Sequence, residues 1–216
     1  MSRWSPYQDN GGSALAIAGK DYATIVADTR CCRDIAILSR NKTKVVKLTD
    51  KVCLVSCGQR ADIDALQKKM ALEVTQYEFE HREKPSLEAL AQRLSVELYS
   101  RRFFPYYAFN ILAGLNSTGE GGVYSYDAVG NTEFMKYGAI GAAGAMLLPV
   151  LDIGLKKAGY VYELKETCPP EEAVKLGVDA LTAAAERNIE TGDGAEAWVI
   201  TADGGVQLTK YTLRKD

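Results

Sequence analysis

Two short segments near the amino terminus limit this chain's fold more than any other feature. Ala14-Leu15-Ala16-Ile17-Ala18 and Ala23-Thr24-Ile25-Val26-Ala27 are apolar at almost every successive position. A strand turns consecutive side chains to opposite faces, so such runs predict strands covered on both sides. The spacing predicts strands over Ser13–Gly19 and Tyr22–Asp28, joined by a hairpin turn at Lys20-Asp21. Further strands are expected at Ile35–Leu38, Lys44–Leu48, Val52–Gly58, Ala108–Leu115, Gly122–Asp127, Glu133–Tyr137, Ala195–Thr201 and Val206–Thr212.

Helices read differently. Ile63, Leu66, Met70, Val74 and Tyr77 recur at helical spacing, as do Leu87, Leu90, Leu94 and Leu98. Each set makes a one-sided apolar stripe. Ser86 is placed to cap the second of these helices. A small-residue helix is expected over Ala142–Lys157. Another is expected from Pro169 to about Glu190, with proline and acids in its first turn and Gly192 as its stop. Helices with one apolar side cover only one face of a sheet. The doubly apolar strands therefore need a second sheet on their other face. The expected architecture is α+β, a four-layer αββα sandwich.

Charge and cysteine usage narrow the function. Lys and Arg number 26 against 28 Asp and Glu, without long blocks of one sign, so no nucleic-acid or membrane-surface partner is expected. Uncharged stretches such as Tyr137 to Leu151, which contains three glycines and Pro149, are shorter than the ~20 residues a spanning helix needs. The first ten residues have no apolar core and do not read as a signal peptide. Five cysteines, Cys31, Cys32, Cys53, Cys57 and Cys168, fit reduced thiols. With one histidine, His81, and no finger-like second cysteine pair, Cys53 and Cys57 read as buried small hydrophobes; no metal or cofactor is implied. His81 lies in a charged stretch, which disfavours Ser-His and Cys-His hydrolases.

The order Gly11-Gly12-Ser13, then Ala27-Asp28-Thr29-Arg30, Lys44, Ser56-Cys57-Gly58, Gly114-Leu115, Tyr124-Ser125-Tyr126-Asp127 and Thr191-Gly192 resembles the proteasome β-subunit family. The resemblance runs from Gly11 through nearly the whole chain. It implies the N-terminal nucleophile hydrolase fold, the same four layers, with residues 1–11 as an extension or remnant propeptide and 12–216 as one β-type domain. Active members use an N-terminal threonine whose α-amine takes the hydroxyl proton, a lysine held by an aspartate, and a glycine N–H for the oxyanion. By position, Asp28 matches the aspartate, Lys44 the lysine and Gly58 the oxyanion glycine. Gly12 stands at the nucleophile and carries no hydroxyl. Ala142 stands where the family has a serine, and Asn188 where it has an aspartate; Thr191 keeps a hydroxyl. The expectation is a degenerate, non-catalytic site in which Asp28 and Lys44 are kept as a structural ion pair. The alternative nucleophile is Ser13. A one-residue shift along a strand turns it to the opposite face, away from Lys44. A free-standing binding module of the same fold is the other alternative.

Two surface features remain. Arg101, Arg102, Phe103, Phe104, Tyr106 and Tyr107 form an aromatic-basic stretch, read either as a helix end packed into its own core, as a subunit interface, or as a base-stacking surface. Asp127 reads either as the start of a turn or as a contributor to a neighbouring subunit's pocket. The resemblance implies partners in a seven-membered β ring, next to the chymotrypsin-like subunit, stacked on an opposite β ring and capped by α rings. It also implies ubiquitin-linked protein turnover by the assembly, in the cytoplasm and nucleus.

Overall fold

The doubly apolar runs form β1 (Ser13–Ala18) and β2 (Tyr22–Asp28), and every residue of β2 is buried. The computed structural model describes residues 5–156 and 168–215; the expected helix end at Lys157 and the first four residues lie outside them. The pair is central to an antiparallel five-stranded sheet of order β10-β1-β2-β11-β12, where β10 is Tyr137–Gly141, β11 Gly194–Thr201 and β12 Gly205–Thr212. A second five-stranded sheet has the order β5-β6-β7-β8-β9, built from Val45–Lys47, Val52–Gly58, Ala108–Leu115, Gly121–Tyr126 and Thr132–Met135. β3 (Cys31–Arg33) and β4 (Ala36–Ser39) make a separate hairpin.

Burial divides into the layers that the strands demand. Ala14, Ala16 and Ile25 face the second sheet, where they meet Cys53, Val55, Cys57 and Ile111. Leu15, Ile17 and Val26 face the other way, onto α3 (Gly144–Leu155) and α4 (Pro170–Ala185). Leu54 and Leu112 of the second sheet pack on α1 (Arg60–His81) and α2 (Leu87–Ser100). The fold is an α+β four-layer sandwich. Ser86 caps α2 as expected, its hydroxyl accepting from the Ala89 N–H at 3.2 Å. No helix of the described residues is long and apolar enough to cross a membrane.

Three sequence expectations need correction. The strand expected at Glu133–Tyr137 is two strands, β9 and β10, which belong to different sheets. Apolar patterning shows that a segment is extended, but not which sheet it joins. β3 was not expected, because its three residues are too few to show a period. The last helix ends at Ala185, not near Glu190. Asn188 takes over there: its Oδ1 accepts from the Glu190 N–H at 2.9 Å and from the Thr191 hydroxyl at 3.2 Å, local bonds that compete with helix. Gly192 therefore lies in the following connection rather than at the helix stop.

Candidate functional site

The centre is assembled where β1, β2 and β6 begin or end. Lys44 precedes β5, and its ammonium group is buried. It lies 2.9 Å from Asp28 Oδ1 and donates to the carbonyls of Asp28 (2.8 Å) and Arg30 (2.7 Å). An ammonium has three N–H donors, and all three are engaged. The Asp28 carboxylate is equally complete. Its Oδ1 also accepts from the Ser13 N–H (2.8 Å), and Oδ2 accepts from the N–H groups of Gly192 (3.1 Å) and Arg30 (3.3 Å). A buried charge pair is tolerated only when its remaining hydrogen-bonding groups are satisfied, and this one is.

Gly12 adjoins the pair at φ +82°, in the left-handed region. A Cβ placed there would overlap Lys44 Cε, lie 2.6 Å from Nζ and 3.1 Å from Asp28 Oδ1. The lysine thus fills the space that a nucleophilic side chain at position 12 needs. Gly58, at φ +127°, admits no side chain either, because a Cβ would strike the Tyr107 carbonyl.

Ser13 points elsewhere. Its hydroxyl lies 2.8 Å from the Thr191 hydroxyl and accepts from the Ala143 N–H at 2.8 Å. It shares the face of Leu15, toward α3 and α4, while Lys44 sits with Gly12 on the other. Ala142 meets Gly12 through its backbone, its N–H donating to the Gly12 carbonyl at 3.0 Å. Asn188 and Thr191 are brought together with Ser13, apart from the lysine. The nearby thiol, Cys57, is fully buried on β6, and burial pushes it up to about 12, so it stays protonated at neutral pH.

The amino-terminal segment closes the mouth of this centre, which sequence reasoning missed. Asn10 donates its N–H to the Gly58 carbonyl (3.1 Å), and its own carbonyl accepts from the Cys32 N–H (3.1 Å). Its side-chain Nδ2 donates to the Cys32 carbonyl (3.0 Å), and its Oδ1 caps α1 by accepting from the Arg60 N–H (2.8 Å). Tyr7 stacks on Phe104 and donates its hydroxyl to the Pro105 carbonyl. The cavity left between Asn10, Gly11, Lys44, Gly58 and Arg60 is about 10 Å³, at most one water's room. The only sequence signal was an asparagine ahead of two glycines.

The sequence that builds these layers and this centre is similar to that of known proteins. A family model described as proteasome subunit matches residues 8–200. The chain belongs to the proteasome subunit family. It is 43% identical over 219 residues to proteasome subunit beta type-1 of Arabidopsis thaliana, covering 100% of this chain and 98% of that protein. It is 44% identical over 215 residues to beta type-1 of Drosophila melanogaster, covering 99% and 91%. It is 40% identical over 223 residues to beta type-6 of Saccharomyces cerevisiae, covering 99% and 92%.

The surface residues of this proteasome subunit separate. Phe103 is 98% exposed and Phe104 61%, so they do not pack into the chain's own core. Tyr106 and Tyr107 are half-buried: Arg101 lies over the Tyr106 ring at 5.3 Å, and the Tyr107 N–H donates to Asp62 Oδ2 at 2.8 Å. Arg102 is exposed. Asp127 builds its own turn, Oδ1 accepting from the N–H groups of Val129 (3.0 Å) and Asn131 (2.9 Å). His81 is exposed and stacks on Tyr77.

Proposed function

We propose that this proteasome β subunit is non-catalytic and acts as a wall of the core particle's proteolytic chamber. One observation carries the reading: the Lys44 head occupies the volume where a position-12 nucleophile would begin. The Asp28–Lys44 pair is then a structural tie between the end of β2 and the start of β5, with residues 1–11 as an extension whose residues 7–11 lie over a closed centre. Acyl transfer needs an oxygen or sulfur nucleophile beside the base. Position 12 has none, Ser13 faces away, and Cys57 is held protonated.

The ring placement follows the family: a seven-membered β ring beside the chymotrypsin-like subunit, an opposing β ring and α rings. Exposed Phe103 and Phe104, with Arg101 and Arg102, suit a subunit interface, where aromatic and Arg side chains are enriched. Asp127, on an exposed turn, is assigned a contribution to the neighbour's pocket as part of this proposal. Free cysteines fit a reducing compartment, cytoplasm and nucleus.

The test is a covalent probe for N-terminal hydroxyl nucleophiles applied to purified particles. Active subunits gain the adduct mass, and this chain keeps its unlabelled mass. An adduct at Ser13 would overturn the reading. Recovery of the chain only as a lone monomer would favour a free-standing module instead.

A further inference from the structure

Asn10 is the one asparagine in this chain followed by glycine. That dipeptide is the most prone to lose ammonia. The glycine N–H has no Cβ beside it, so its nitrogen reaches the asparagine side-chain carbon readily. In this fold every group needed for that step is tied down. The Gly11 N–H donates to Asp9 Oδ1 at 2.9 Å, where a carboxylate also opposes its deprotonation. Asn10 Oδ1 is held by the Arg60 N–H and Nδ2 by the Cys32 carbonyl. The backbone of Asn10 is pinned on both sides, by Gly58 and Cys32.

We propose that Asn10 is a protected deamidation site whose reactivity is gated by the seating of residues 7–11. When the segment lifts, the Gly11 nitrogen loses its proton and attacks Asn10 Cγ. The new N–Cγ bond closes a five-membered imide, the Cγ–Nδ2 bond breaks, and the nitrogen leaves as ammonia, carrying the proton. Water then opens the ring at either carbonyl, giving aspartate or isoaspartate. The change is one-way and works against reseating. A carboxylate cannot donate to the Cys32 carbonyl, and it adds a negative charge near Asp9 and Glu190, which already repel one another. Isoaspartate also lengthens the backbone by one carbon and breaks the Gly58–Cys32 register. The inference goes beyond the question of catalysis and does not depend on it.

Particles containing this chain are held at neutral pH and physiological temperature, and Asn10 is followed by peptide mass mapping against a synthetic peptide of residues 5–15. Local opening limits the reaction, so the native rate is expected about a hundredfold or more below the free peptide's. Asp9→Ala, which removes a charged acceptor, raises it about tenfold. A native rate within a few-fold of the peptide's overturns the proposal, as does an unchanged rate in Asp9→Ala. Should that variant fail to assemble, hydrogen exchange on partly deamidated wild-type particles decides. The deamidated fraction loses protection across residues 7–11; equal protection in both fractions refutes the gating.

Discussion

Gly12 sits at φ +82°, where a side chain costs about 1–3 kcal/mol in backbone strain alone. Gly12→Thr therefore restores a hydroxyl but not activity, because its Cβ collides with Lys44. The expected result is a less stable chain and unchanged peptidase kinetics in assembled particles; a new acyl-enzyme on this subunit would contradict it. Lys44→Met leaves Asp28 buried and uncompensated, a loss of about 3–5 kcal/mol, read from denaturant unfolding or from failure to incorporate. Asp193 gives a pH-dependent case. Burial alone would raise its pKa, but hydrogen bonds and charge from Arg30 and Arg40 outweigh that and hold its carboxyl below the ordinary range. A depressed folded pKa contributes stability above the unfolded value of about 3.9 and loses it as pH falls through the folded value. Asp193→Asn is thus expected to lower Tm near neutrality, with the gap to wild type closing below about pH 4. Thermal melts across that range check this, and a pH-independent gap counts against it.

At the scale of elements, the informative pieces are turns and helix ends. Ser86→Ala removes the α2 cap and is expected to cost about 1 kcal/mol, measured by urea unfolding. Asp127→Ala removes the acceptor for two N–H groups of the β8–β9 turn. Its stability cost is expected near 1 kcal/mol. Kinetics of the assembled particle then separate the two roles: a changed kcat/KM for chymotrypsin-like substrates supports the neighbour-pocket role, and unchanged values for all substrates leave only the turn. Phe103 is solvated in the isolated fold, so Phe103→Ala should shift chain stability by no more than about 0.5 kcal/mol. Its effect is expected in assembly yield on native gels.

For the whole molecule, the layers decide which groups chemistry can reach. Cys53 and Cys57 lie between the two sheets, and burial pushes both up to about 12, whereas Cys168 is half-buried. Brief alkylation at neutral pH should label Cys168 and spare both sheet thiols until denaturant is added, as intact-mass measurement will show. The layers themselves were legible in the sequence. Alternating or continuous apolar runs record how many faces of a strand are covered, and the stripes of α1 and α2 record which side packs. The switch of sheets at Lys136, between β9 and β10, was not legible, since its neighbours on both sides are equally extended. Nor was the seat of Asn10, whose partners Cys32, Gly58 and Arg60 lie 22, 48 and 50 positions away. Sequence alone determined that position 12 has no hydroxyl, because chemical identity belongs to one residue. Strand alternation likewise turned Ser13 away from Lys44; only the folded chain decided that Lys44 fills the empty place, which helices lie on the side of Ser13, and that the amino-terminal segment shuts the mouth. Each of those depends on how distant segments pack, and packing is settled by the shared core rather than by any local stretch.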